Sequence, residues 1–211
     1  MTDREQAGQK ALEFAEGLWK RGDFWELETS EFERARYART IQVLQGARYP
    51  RGLELGCGAG YFTRLLAPHV GDLVAYDISP SAIARARAAS GDGGSIDFRA
   101  GNAMDYGWRA DGPWDLIVIN DTICYLGWLY SFFDVAWFVS EIHGAIRPGG
   151  RFLMANTMDL KGYDKLLLPY VTRSYRDLAL NVGFVLDREE TVPGTKNGVE
   201  FQTLISLFAR P

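Results

Sequence analysis

The sequence predicts an α/β fold in which a mostly parallel sheet carries one reversed strand near an edge. Three observations lead there. From Arg51 onward short apolar runs, at residues 52–55, 73–76, 96–99, 116–120 and 151–155, alternate with helical stretches, as consecutive βαβ units require. Leu116-Ile117-Val118-Ile119 is continuously apolar, which suits a central strand covered on both faces. Near the end, strands at 184–188 and 201–208 flank Asn197-Gly198, a hairpin turn signal, so one of the two must run against the parallel strands.

Taken in order, the first element is a helix with Ala11, Phe14, Ala15 and Leu18 on one face. After the glycine-hinged Gly22-Asp23-Phe24-Trp25, Ser30-Glu31-Phe32-Glu33 reads as a capping box that opens a second helix carrying Phe32, Tyr37, Ile41 and Leu44 toward Gly46. Ser79 caps and Pro80 begins a helix between the second and third strands. Residues 131–146 form an aromatic-rich helix stopped by Pro148-Gly149-Gly150, and residues 172–182 form the last helix. No repeat or Pro/Ser-rich linker divides the chain. One domain over 1–211 is expected, with 1–48 as a helical cap and 49–211 as the core.

Composition narrows the partners. The 211 residues are 47% hydrophobic and 24% charged, the composition of a packed globular chain. With 23 basic and 27 acidic side chains the net charge is −4, so there is no surplus to neutralise phosphate, and neither nucleic acid nor an anionic membrane is expected as a partner. Cys57 and Cys124 are too few for a disulfide framework, the opening Met-Thr-Asp-Arg-Glu-Gln lacks the apolar stretch of a secretory signal, and no apolar run reaches membrane-spanning length. A cytoplasmic location, no metal, and a monomer or homodimer are expected.

The chemistry concentrates in Glu54-Leu55-Gly56-Cys57-Gly58-Ala59-Gly60, between the first strand and the next helix. Glycine at 56, 58 and 60 permits a tight turn and lets a ligand lie on bare main chain. About 20 residues on, Asp77 ends the second strand, where an acid can accept hydrogen bonds from both hydroxyls of a ribose; the lesser reading is a cap for the following helix. A nicotinamide dehydrogenase would want a glycine three positions beyond Gly58, but Tyr61 stands there, and Glu54 is a poor neighbour for a diphosphate and a good one for a cation.

Together with Asp77, these residues, Gly101-Asn102-Ala103 after the third strand, Asn120-Asp121 after the fourth and Arg147-Pro148-Gly149-Gly150 before the fifth resemble the ordered signatures of class I S-adenosylmethionine-dependent methyltransferases. The resemblance covers about Arg51 to the C-terminus. It implies a Rossmann-like three-layer sandwich with a seven-stranded, mostly parallel sheet whose last strand is antiparallel. It implies S-adenosylmethionine as cofactor, its methionine part on Gly56, Gly58 and Gly60, its ribose on Asp77 and its adenine beside Ile78, Asn102 and Ala103. Asn102 replaces the usual acid, and Asn120 would reach the methionine amine through its main-chain carbonyl.

The stretch Trp25, Thr29-Ser30-Glu31-Phe32-Glu33 and Tyr37 is similar to the opening of the nodulation-protein-S-like methyltransferases, which modify small metabolites or sugars. This implies an N-terminal helical lid in which Trp25 and Tyr37 cover the methionine carboxylate and Arg36 or Arg39 counters its charge. The two aromatics also read as packing for a cover helix.

Methyl transfer from a sulfonium chiefly needs alignment and exclusion of water. His69 and His143 lie in segments away from the methyl donor, so the candidates are Asp121, as a base or an orienting group, and Tyr125, positioning the acceptor. Asp121 reads equally as a helix cap, and Cys124 as a small core side chain. Residues 157–171, with Tyr163, Leu166, Leu167, Leu168 and Tyr170, either roof the acceptor pocket or pack on the sheet edge. The reading is methylation of oxygen or nitrogen on a small-molecule acceptor, with natural products and sugars among those implied. The alternatives are an NAD(P)-dependent oxidoreductase and a non-catalytic nucleoside-binding module.

Overall fold

A computed structural model of the chain describes residues 3–91 and 96–211; Met1 and Thr2 of the opening segment lie outside them. Two helices, α1 (Asp3–Trp19) and α2 (Glu31–Gln42), precede an alternating core. The core runs β1 (Tyr49–Leu55), α3 (Tyr61–Leu66), β2 (Val70–Asp77), α4 (Pro80–Ser90), β3 (Ile96–Ala100), α5 (Trp108–Asp111) and β4 (Trp114–Asn120). It continues with α6 (Ile123–Leu129), α7 (Phe132–Ala145), β5 (Ile146–Asp159), α8 (Pro169–Asn181), β6 (Val185–Lys196) and β7 (Val199–Ala209).

The sheet has seven strands in the order β3-β2-β1-β4-β5-β7-β6. β7 runs antiparallel to both of its neighbours and all other pairings are parallel, so the reversed strand enters next to the edge as expected. Every residue of β4 is buried. Its alternate side chains feed two cores: Leu116 and Val118 pack with Leu44, Phe62 and Leu66, while Ile117 and Ile119 pack with Phe138, Val139 and Ile142 of α7. This two-sided cover is the physical reason for the unbroken apolar run. Strand order reverses between β1 and β4, which opens a crevice beyond their carboxyl ends.

Two late strands run further than expected, and one helix cap differs. β5 extends to Asp159 because its register with β7 continues through Asp159↔Phe201. β6 extends to Lys196, although its outward positions are polar, because main-chain pairing to β7 carries it there. The Ser30 capping box is half made: Ser30 accepts from the Glu33 N–H, but the Glu33 carboxylate is drawn to Arg36 and Lys196 instead. Among the described residues no helix is long and apolar enough to cross a membrane.

α1 lies across the crevice and is fastened to α4. The Glu16 carboxylate accepts hydrogen bonds from Ser79 Oγ (2.5 Å), Ser81 Oγ (2.8 Å) and the Ser81 N–H (2.9 Å), where free amide donors open a helix. Burial pushes its pKa up, but these bonds and nearby Lys20 outweigh that and bring it down to about 2. A carboxylate whose folded pKa lies below its unfolded value stabilises fully above the unfolded value and loses that contribution as pH falls toward the folded one. Docking of α1 should therefore weaken as pH drops from about 4.5 to about 2, and Glu16→Gln should loosen α1 at neutral pH. Hydrogen exchange is the check: α1 amides should lose protection while β4 amides keep theirs, and unchanged α1 protection in Glu16→Gln would refute the latch.

Candidate active site

The crevice is a cleft of about 560 Å³ bounded by the ends of β1, β2 and β4, by α1 and α2, and by the β6–β7 hairpin. That size accommodates one small ligand with contacts on most sides. At its floor the Gly56 and Cys57 N–H groups both donate to the Tyr76 carbonyl, which folds the chain sharply over the end of β2. Gly56 has φ +77°, and a Cβ there would stand 2.0 Å from Thr122 Oγ1. Gly58 has φ +53°, and a Cβ there would meet the Trp19 ring at 2.5 Å. At both positions the bare main chain is what lets Thr122 and the Trp19 ring close against the turn.

Two carboxylates face this turn. Asp77 accepts from the Gly58 N–H (2.8 Å) and the Ser79 N–H (2.9 Å), so it ties the glycine turn to the start of α4. Burial raises its pKa, these two N–H groups oppose the rise, and Glu16 adds to it. Glu54 is 2% exposed, and its Oε2 has no hydrogen-bond partner. Burial drives its pKa up to about 7, the Thr63 hydroxyl opposing and the Asp77 charge reinforcing the shift. Two neighbouring acids with an unfilled acceptor form a site for a cation.

In the same cleft Arg36 is fully buried between acids. Its Nε and Nη2 each stand 2.5 Å from Glu33 Oε2, and Nη1 stands 2.5 Å from Asp121 Oδ2. Lys196 from the hairpin completes the group at 2.9 Å from Glu33 Oε1. Burial pulls the Arg36 pKa down, but Asp121 and then Tyr37 and Glu33 raise it overall. Asp121 is in the left-handed region at φ +49°, and its Oδ1 accepts from the Thr157 N–H (2.6 Å). It does not cap α6, whose N-cap Thr122 makes no side-chain cap bond.

Of the residues singled out from sequence, Trp25, Tyr37, Glu54, Gly56, Gly58, Asp77, Ile78, Asn102, Ala103, Asn120, Asp121 and Tyr125 all line this one cleft. Gly60 does not. Its missing Cβ faces Ala86 and Phe98, so it serves the packing of α4 rather than a ligand. Arg39 is also outside, exposed and paired with Glu190, which leaves Arg36 as the arginine of the site. Asn102 donates to Tyr130 Oη and Asp105 Oδ2, both at 2.9 Å, and accepts from the Met104 N–H; both amide hydrogens are engaged, so only its carbonyl oxygen can serve a further donor. The Asn120 carbonyl accepts from Thr122 Oγ1 at 3.0 Å.

Trp25 and Tyr125 approach at 6.4 Å between ring centroids, and Phe14 lies 5.7 Å from Tyr125. Burial raises the pKa of the Tyr125 phenol and of Tyr37 far above the usual range. Leu167 is the member of the 157–171 connection's apolar group that reaches the cleft, whereas Tyr163 and Tyr170 are exposed. Neither histidine lines it; His143 packs edge-on against Phe184.

Phe14 and Trp19 on α1, and Lys196, Asn197, Val199 and Phe201 at the hairpin, were not foreseen as lining residues. Alanines spaced among aromatics on one face of α1 carried a signal for close approach over a ligand. The hairpin contribution depends on strand register and had none.

Residues 53–154 match the methyltransferase domain family. Nodulation protein S of Rhizobium tropici is 31% identical over 139 residues, covering 65% of this chain and 56% of the relative. A probable S-adenosylmethionine-dependent methyltransferase of Mycolicibacterium smegmatis is 32% identical over 159 residues, covering 74% and 54%. Over residues 53–154, just under half of its length, the chain is similar to this methyltransferase domain family. It spans little more than half the length of these curated relatives. The methyltransferase fold extends along the chain: the crystal structure of N-methyltransferase NodS from Bradyrhizobium japonicum WM9 with S-adenosyl-L-homocysteine superposes with a TM-score of 0.81, covering 95% of this chain and 98% of that one at 22% identity.

The glycine turn within the matched segment yields a direct check. Gly56→Ala places a side chain in a left-handed conformation and against Thr122, and should cost about 2 kcal/mol or more in urea-denaturation stability. A loss within about 0.5 kcal/mol, the scale of an indifferent surface change, would contradict the described turn.

Proposed function

We propose that the protein transfers a methyl group from S-adenosylmethionine to a nitrogen or oxygen of a small-molecule acceptor. The observation that carries this is the buried Glu54 carboxylate with an unfilled oxygen, set beside Asp77 at a turn that only glycine can make. That site suits a ligand with a cationic body and a diol, and it repels a diphosphate. Bound there, S-adenosylmethionine supplies a methyl group on a sulfonium, whose departure leaves a neutral thioether.

The residues divide the work. Asp77 accepts from the ribose hydroxyls, and Ile78 and Ala103 flank the adenine with the Asn102 carbonyl oxygen available to its amine. Glu54 balances the positive methionine end, the Asn120 carbonyl accepts from its amine, and Arg36 pairs with its carboxylate under Trp25 and Tyr37. α1 excludes water above the glycine turn through Phe14 and Trp19. Asp121 and Tyr125 orient the acceptor.

A hydroxyl acceptor needs a base, whereas an amine that arrives neutral needs only alignment. With no histidine lining the cleft, nitrogen is the preferred acceptor atom, oriented through its N–H by Asp121. Phe14, Phe24, Trp25, Leu129 and Leu167 line the cleft with apolar surface suited to an acceptor with an apolar or planar body. We place the reaction in the cytoplasm, with the protein a monomer or homodimer.

Calorimetry against S-adenosylmethionine and NADH separates this reading from that of an oxidoreductase, and methyl release from labelled cofactor over a panel of amines and phenols separates it from that of a silent binding module. Saturable binding of the sulfonium compound and none of NADH is expected. Asp77→Ala should weaken cofactor binding by about 1–3 kcal/mol, the scale of lost hydrogen bonds to a charged group, with folding verified by circular dichroism. Unchanged affinity would remove the ribose from Asp77.

A further inference from the structure

Arg36 stands between two acids that hold it differently. Glu33 meets it with a hydrogen bond from Nε and a second nitrogen at 2.5 Å, and Lys196 fixes the other Glu33 oxygen. Asp121 Oδ2 is as close to Nη1, yet it is buried with no N–H aligned on it, so the contact is an ion pair without a hydrogen bond. The Asp121 side chain is also the looser of the two, 24% exposed against 6% for Glu33, and it sits on a turn in the left-handed region rather than in a helix.

The formal charges of Glu33, Asp121, Arg36 and Lys196 sum to zero. A further carboxylate brought against Arg36 leaves three acids to two cations in a desolvated site, an excess that is costly unless one acid withdraws. Glu33 is held by two cations. Among the described residues the Asp121 side chain has Arg36 and the Thr157 N–H, and the latter bond survives if Oδ2 swings away.

On the cofactor reading above, we propose that Asp121 is a placeholder for the cofactor's α-carboxylate. It neutralises Arg36 while the cleft is unloaded, yields that contact when the cofactor's carboxylate arrives, and turns Oδ2 toward the N–H or O–H of the acceptor. The group that orients the acceptor is thereby released only by cofactor, which makes the binding order cofactor first and acceptor second. No bond to carbon or sulfur changes in this step; one carboxylate replaces another on the guanidinium.

The test uses the full chain and two ligands, S-adenosylmethionine and its decarboxylated form, which keeps the sulfonium and the amine but lacks the carboxylate. In Asp121→Asn the competing charge is gone and the Thr157 bond can persist. This variant should bind S-adenosylmethionine about tenfold more tightly, the scale of a charge-assisted contact, with no gain for the decarboxylated compound. Unchanged or weaker binding of S-adenosylmethionine overturns the proposal, as does an equal gain for both ligands. Should the variant not fold, a crystal structure of the unaltered chain with S-adenosylhomocysteine decides. Asp121 beyond the ~4 Å reach of an ion pair from Arg36, with the ligand's carboxylate in its place, supports the proposal; a pair intact at 2.5 Å overturns it. If the unaltered chain binds neither sulfonium ligand, the cofactor reading itself fails and the placeholder falls with it.

Discussion

A buried carboxylate with one oxygen unfilled among the described residues, Glu54 at the carboxyl end of β1, is the constraint around which the cleft is built. Leaving an acceptor unsatisfied in a desolvated site is costly, and the protein partly relieves the cost by letting the group take up a proton near neutral pH. The neighbouring structure does not quench it. Asp77 adds negative charge, its own oxygens facing main-chain N–H groups, and Arg36 and Lys196 are committed to Glu33 and Asp121. Among the described residues no cation is paired with Glu54, and the glycine turn brings main chain to the same cleft.

The group around Arg36 balances its charges internally, and this division gives the cleft its chemical sense. A ligand with a positive centre and a carboxylate meets an acid with an unfilled oxygen at one end and a guanidinium with an exchangeable partner at the other. The roof is separate from both. α1 is fastened through Glu16 at the start of α4, outside the two charge groups, so it can close over the turn without consuming the side chains that recognise the ligand.

Much of the fold was legible because its signals are local and redundant. The unbroken apolar run of β4, the Ser79-Pro80 helix start and the Asn197-Gly198 turn each appear where expected and together imply the reversed strand. Features decided by distant partners were not legible. Glu33 reads as half of a capping box, but its carboxylate is captured by a lysine from the other end of the chain. Asn102 reads as a base-recognising amide, yet Asp105 and Tyr130 engage its hydrogens and a local cap engages its oxygen. Gly60 shares a motif with Gly56 and Gly58 but turns its bare face to α4. In each case residue type and spacing indicated a capability, and three-dimensional neighbours determined its use.

On the proposed reading Glu54 is the acid that receives the cationic ligand, and its pKa, raised by burial, makes that measurable. Binding a cation favours the ionised carboxylate, so below a pKa of about 7 association must release a proton. Calorimetric titration of S-adenosylmethionine between about pH 5.5 and 7, in buffers of different ionisation enthalpy, should show proton release and affinity rising with pH. Glu54→Gln should abolish the release and flatten the profile. Affinity independent of pH in the unaltered protein, or a slope that persists in Glu54→Gln, would contradict the assignment.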